Sequence, residues 1–242
     1  MDISSDDHYS FLNKSYKQVG DITWKRSDFD SNSLLTSRHL FTGESLLLRK
    51  PKPKNLEVVA LLSGLPFREA FTEALVSIQK GIASVLGDSL HYFVLPLNFG
   101  VEYCVFKWPG DSIQDSQLAV VVNEVSRLEI NSYRYVLHGI QINPDGCIVA
   151  KGYDENGMLF KIREILKNRI SFLPERQSGW AHVPIGRILE PLGSSKYIEL
   201  SNMIMDLSEM LIATTKIDSI KLVHETKWYM EEKSIITSVK LK

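Results

Sequence analysis

The chain has 242 residues, 44% of them hydrophobic and 24% charged, enough for one large domain or two lobes with a substantial core and against a disordered chain. Its 28 basic and 29 acidic residues leave a formal charge of −1, so no global basic field points to duplex DNA, and any nucleic-acid contact has to be local. Cys104 and Cys147 stand singly in apolar runs without CxxC spacing, which reads as buried thiols in a reducing, cytoplasmic compartment and not as a metal site. The opening residues MDISSDDHYS lack the apolar stretch of a signal peptide, and no run approaches roughly 18 apolar residues, so neither a leader nor a membrane partner is expected.

Residues 1–55 are polar, rich in serine and aspartate, with scattered aromatics such as Trp24, Phe29 and Phe41; they read as an extension without clear elements, ahead of a domain at 56–242. The run Arg49-Lys50-Pro51-Lys52-Pro53-Lys54 reads as an extended, solvated basic linker, because each proline disfavours helix at the residue before it. Leu56–Leu62 is a first candidate strand. Helical spacing of Phe67, Phe71, Leu75, Ile78, Ile82 and Val85 then predicts a packing helix from Pro66 to about Leu86, stopped by Gly87-Asp88. His91–Leu95 and Val101–Trp108 follow as strands, the first broken by Pro96, the second closed by Pro109-Gly110.

Ser112 heads a helix to about Leu128, with Val121, Val122, Val125 and Leu128 on one broad face. Tyr133–Ile142 and Cys147–Lys151 are strands joined by Asn143-Pro144-Asp145-Gly146, where proline presets φ and glycine accepts a positive one. A helix from about Glu155 to Ile170 ends before Pro174, and another, about Lys196 to Ala213, precedes the strands Ser219–Trp228 and Ile235–Leu241. Between those helices lies Gly179–Leu189, GWAHVPIGRIL. As a strand it puts Ala181, Val183 and Ile185 on a core face, and Trp180, His182, Pro184 and Gly186 on a face with room for a ligand, followed by the fixed charge of Arg187. The regular interleaving predicts an α+β fold of two comparable halves. The motifs GxGxxG, GxxxxGK[ST], HExxH and GxSxG are absent, so no cofactor is indicated.

Three segments, YRYVLHGIQINPDGCIVAKGYDENGMLFKIREIL, AHVPIGRIL and LVHETKWYMEE, resemble the two-histidine (2H) phosphoesterase superfamily, which includes the RNA 2′,3′-cyclic phosphodiesterases long called 2′-5′ RNA ligases. The resemblance spans roughly Leu65 to Leu241. It implies a bilobal fold whose two pseudo-equivalent halves line a central cleft with antiparallel sheets and carry helices outside. It also implies that His182-Val183-Pro184, continued by Ile185-Gly186-Arg187, is the second family motif. The first motif then falls 79 residues upstream, on Tyr103-Cys104-Val105, preceded by HYFVLPLNFGVE. Of two histidines and two hydroxyl residues in the family pattern, His182 alone remains; Tyr103, Val105 and Pro184 occupy the other positions.

In the family, one histidine activates the nucleophile, the other protonates the leaving oxygen, and the hydroxyl residues hold the phosphoryl oxygens. Loss of a positioned acid or base costs about 10²–10⁴ in rate, and loss of an oxyanion donor about 10²–10³. The implied site is therefore His182 as acid–base group with Tyr103 as a donor, Arg187 gripping phosphate, and Trp180 and His224 as further substrate contacts, with no metal. His224 shares a strand face with Ile220, Leu222, Thr226 and Trp228, and Lys107 and His138 are further polar candidates. The implied function is a divergent phosphoesterase-like protein that acts on or binds a cyclic or 2′-linked nucleotide or RNA terminus, with reduced or lost hydrolysis. The alternatives are an inactive binding module and an enzyme with rebuilt chemistry on a small non-phosphate substrate.

Overall fold

The computed structural model describes residues 5–154 and 156–242. They form an α+β fold with two antiparallel sheets, four strands in the order β3-β1-β8-β9 and five in the order β2-β6-β5-β4-β7. In chain order the strands are β1 (Val58–Gly64), β2 (His91–Phe93), β3 (Gly100–Lys107), β4 (Tyr133–Ile142), β5 (Cys147–Asp154), β6 (Val183–Ile188), β7 (Leu211–Ile217), β8 (Ser219–Lys227) and β9 (Glu232–Lys240). The helices are α1 (Ser5–Trp24), α2 (Ser31–Arg38), α3 (Gly43–Leu47), α4 (Glu69–Leu86), α5 (Asp115–Ser126), α6 (Met158–Arg169) and α7 (Ser194–Leu207). Helices α1, α4 and α7 cover the five-stranded sheet, while α5 and α6 pack on the four-stranded one.

The period of two in β1 divides its side chains between two environments. Val59 and Leu61 enter the main core, whereas Val58, Ala60 and Leu62 join Val105, Val223 and Met230 in a smaller apolar cluster beside the space between the sheets. The β4–β5 turn has the expected form: Gly146 carries a φ of 82°, and its N–H donates to Asn143 O at 2.9 Å.

The structure departs from the sequence expectations in three places. The helix expected through Ala213 ends at Leu207, and Leu211–Ile217, with its β-branched Ile212, Thr214, Thr215 and Ile217, becomes edge strand β7 on β4. No glycine or proline marks that break. The α5 start moves from Ser112 to Gln114, whose N–H donates to Gln117 Oε1 at 2.9 Å. The expected start of the next helix at Glu155, like the first four residues of the chain, lies outside the described residues.

The third departure is at the N-terminus. Residues 5–55 form three helices, and Leu12, Tyr16, Phe29, Leu34 and Phe41 belong to the main core. Tyr16 is fully buried; its hydroxyl donates to Gly152 O (3.3 Å) and accepts from Ala181 N (3.2 Å). The supposed linker is ordered too: Thr42 N donates to Lys52 O and Lys54 N to Leu40 O, while Arg49 forms a two-pronged pair with Glu190. The apolar stripe of α1 is only a few residues wide, which a polar composition conceals. Replacing a core aromatic with alanine costs about 3–5 kcal/mol, so Tyr16→Ala should lower urea-unfolding stability by that order within a single transition. An early separate transition would instead make residues 5–55 a detachable unit.

Candidate functional site: a cleft between the sheets

Strands β3 and β6 approach each other from the two sheets, and each carries a bulge that decides which side chains enter the space between them. On β3, Leu61 opposes Cys104 and Leu62 opposes Glu102, so Tyr103 is the extra residue. On β6, Gly186 opposes Ile148 and Pro184 opposes Val149, so Ile185 is extra. A helix side chain donates to the carbonyl of the extra residue at each bulge. Arg163 Nε of α6 donates to Tyr103 O at 2.8 Å, and Gln79 Nε2 of α4 donates to Ile185 O at 2.8 Å. The two halves thus repeat one device.

Opposed residues of an antiparallel pair share a face, so Glu102 joins Leu62 on the cleft side. His182, Pro184, Arg187, Glu102 and Glu225 line a cavity of about 300 Å³, closed by Trp108, Trp228 and Tyr229. The expectation for the second motif is met in its geometry: Ala181, Val183 and Ile185 are fully buried in the core, and His182 and Pro184 face the cleft.

Tyr103, expected to face His182, is turned away by its own bulge. It is fully buried on the core side, with its hydroxyl 2.7 Å from Ser63 Oγ and 2.5 Å from Tyr133 Oη, and burial pushes its pKa up to about 12. Matching the two bulges makes Gly100 the counterpart of His182 and Glu102 the counterpart of Pro184. A Cβ at Gly100 would lie 3.2 Å from Ser63 O, so a larger residue there requires the backbone to give way.

His182 is half-buried. Its ring meets Trp180 edge-on, centroids 5.6 Å apart at 86°, and its buried Nδ1 has no hydrogen-bond partner among the described residues. Burial, reinforced by the charges of Arg163 and Arg187, pushes its pKa down to about 4, so the imidazole is neutral near pH 7. Trp180 stands between Tyr16 (4.8 Å) and His182, behind the cavity wall rather than on it. Arg187 does reach the cavity, but Nη1 already donates to Asp145 Oδ2 (2.6 Å) and Ser37 Oγ (2.7 Å), and Nε to the Tyr229 hydroxyl.

His224 points to the opposite face from the cleft, paired with Val59 and Ser234; its neighbour Glu225 is the cleft residue. Lys107 is paired with Glu57, and His138 packs against Tyr153 at 6.3 Å, away from the cavity.

Sequence reasoning missed Glu102 and Glu225. Each is adjacent in sequence to a residue singled out from the sequence, Tyr103 or His224, and each lies on the other face of its strand. The Glu102 carboxylate makes no hydrogen bond among the described residues, and burial, opposed by Arg163 and Arg176, pushes its pKa up to about 7. Glu225 is 5% exposed, and burial likewise pushes it up to about 7, although Oε1 accepts from Met230 N at 2.7 Å. Tyr229 and Met230 both hold positive φ, 63° and 57°, a costly conformation for such residues that Arg187 and Glu225 help to fix.

The loop before β6 closes one side of the cleft by pairing with edge strand β3. Gln177 brackets Val105, accepting from its N–H (2.9 Å) and donating to its carbonyl (2.8 Å); Trp108 Nε1 donates to Arg176 O, and the Arg176 guanidinium lies 4.5 Å over the Trp108 ring. Among the described residues, no group of three or more His, Cys, Asp or Glu side chains could hold a metal, and no helix is long and apolar enough to cross a membrane.

The folded chain holds the Glu225 proton more tightly than the unfolded chain does, so this group's contribution to stability falls as pH rises from about 4.3 to about 7. Glu225→Gln removes that ionisation. Relative to wild type it should gain on the order of 2–3 kcal/mol in denaturant-unfolding stability between about pH 5 and about pH 8. A difference independent of pH would mean that Glu225 ionises as an ordinary carboxylate.

No protein-family model matches the chain, and no curated protein matches its sequence. Solved structures do match. TT0787 of Thermus thermophilus, 14% identical, gives a TM-score of 0.55 over 77% of this chain and 96% of its own. E. coli LigT in its apo form, 8% identical, gives 0.53 over 78% and 99%. A structure described as a phosphoesterase, 9% identical, gives 0.53 over 78% and 99%. With two antiparallel sheets facing across a cleft and helices outside, this chain has the fold of TT0787, E. coli LigT and the phosphoesterase structure.

Proposed function

We propose that the protein binds the phosphorylated end of a nucleotide or RNA in the cleft between its sheets and hydrolyses 2′,3′-cyclic phosphates weakly or not at all. The observation that carries this reading is the wall opposite His182, where β3 presents Gly100 and Glu102 and neither a second histidine nor a hydroxyl. Two-histidine hydrolysis needs a base and an acid in one turnover. A neutral His182 supplies one of these at a time, and an ionised Glu102 repels the charge that develops on a phosphorane instead of stabilising it.

Binding is better supported than turnover. A cavity of about 300 Å³ walled by Trp108, Trp228 and Tyr229 suits a stacked base. Arg187 is already neutralised by Asp145, whereas exposed Arg176 makes no ion pair among the described residues and is the freer cation for phosphate. LigT, which shares the fold, has been solved with 3′-AMP and with ATP. A second reading, acid–base chemistry on a non-phosphate substrate, draws on the near-neutral pKa of Glu102.

Calorimetric titration with 2′- and 3′-nucleotides should show binding that weakens with added salt. Single-turnover assays should show a cyclic-phosphate rate at least about 10²-fold below that of an intact two-histidine enzyme, little changed by His182→Ala. A robust rate abolished by His182→Ala would contradict the proposal, and the absence of nucleotide binding would favour the second reading.

A further inference from the structure

We propose that the cleft selects guanine, reading the donor edge of the base with Glu102 and Glu225 and its carbonyl with Asn98. This rests on the nucleotide reading above and identifies the base. Three polar side chains lining the cleft keep hydrogen-bonding capacity that no other described residue takes up and that is open to a ligand. Asn98 is 7% exposed; its Oδ1 accepts from Lys233 Nζ at 2.6 Å, and its Nδ2 donates to nothing among the described residues. Glu225 uses Oε1 for Met230 N, leaving Oε2 without a donor, and neither oxygen of Glu102 has one. All three residues line the cavity.

Asn98 and Glu225 are also held in one local network. Lys233 Nζ binds both Asn98 Oδ1 and Met230 O (2.9 Å), and Met230 N binds Glu225. The free capacity is therefore an amide donor and carboxylate acceptors beside flat aromatic walls. Guanine presents the complement, with N1–H and N2–H₂ as donors next to O6 as acceptor. Adenine and cytosine each turn a ring-nitrogen lone pair toward a carboxylate, and uracil has one donor between two carbonyls. Burial raises both glutamates only to about 7, so at pH 8 they serve as ionised acceptors.

The test is calorimetric titration of the full chain at pH 8 with 3′-GMP, 3′-IMP, 3′-AMP and 3′-CMP. 3′-GMP should bind about tenfold or more tightly than 3′-AMP and 3′-CMP, because a mismatched base leaves a buried acceptor unpaired. 3′-IMP, which lacks the N2 amino group, should fall between them. Glu102→Gln should fold with a melting temperature at pH 8 no lower than that of the wild type, since it removes a carboxylate whose ionisation burial disfavours, and lose the preference. Equal affinities for all four nucleotides would overturn guanine selection and leave nucleotide binding standing, whereas binding of none would bring down both. A guanine preference that survives both Glu102→Gln and Glu225→Gln would place the base elsewhere and likewise overturn the inference.

Discussion

The guanidinium of Arg163 on α6 joins three backbone carbonyls from the two sides of the cleft: Glu102 and Tyr103 on β3, and Trp180 at the entry to β6. The β3 bulge releases carbonyls from the ladder, and each one left buried without a donor would cost about 1–3 kcal/mol. Arg163 is 9% exposed, and burial lowers its pKa, yet its donors allow Glu102 and His182 to be presented toward the same cavity. The start of α6 is anchored in turn by Asp154, whose Oδ2 accepts from Leu159 N at 2.6 Å.

Arg187 frames the other end. It ties β6 to the β4–β5 turn through Asp145, to α2 through Ser37, and to the strained segment after β8 through Tyr229. Removing Asp145 should cost more than the pair's net contribution suggests, because the largely buried Arg187 charge would be left without its partner. This is also why the N-terminal helices bear on the site: Ser37 touches Arg187, and Tyr16 touches the Trp180 ring behind His182.

Periodicity was readable wherever an element had a wide apolar face. The stripe from Phe71 to Leu86, the alternation in Tyr133–Ile142 and the Asn143–Gly146 turn each carry a local physical signal, and each matches α4, β4 and the hairpin. Helix α1 buries too narrow a stripe to stand out, and β7 follows α7 without a breaking residue. The site divides along the same line. Alternation on β6 is regular through Pro184, so the facing of His182 follows from the sequence. On β3 the extra residue puts both Tyr103 and Cys104 on the core side and leaves Glu102 on the cleft side, and a bulge held by a distant arginine leaves no mark in the local pattern. The resemblance to two-histidine phosphoesterases captured the fold, and the β3 bulge turned Tyr103 away from the cleft that the sequence pattern assigned to it.

A half-buried, unbonded Glu102 that lines one cavity with His182 is the feature on which the proposed function turns. Its most direct test is carboxyl-carbon NMR of Glu102, assigned with Glu102→Gln and followed through a pH titration with and without a 3′-nucleotide. A midpoint near 7 that moves when nucleotide is added is the predicted result. A midpoint at the ordinary glutamate value of about 4.3, unaffected by saturating nucleotide, would contradict the account.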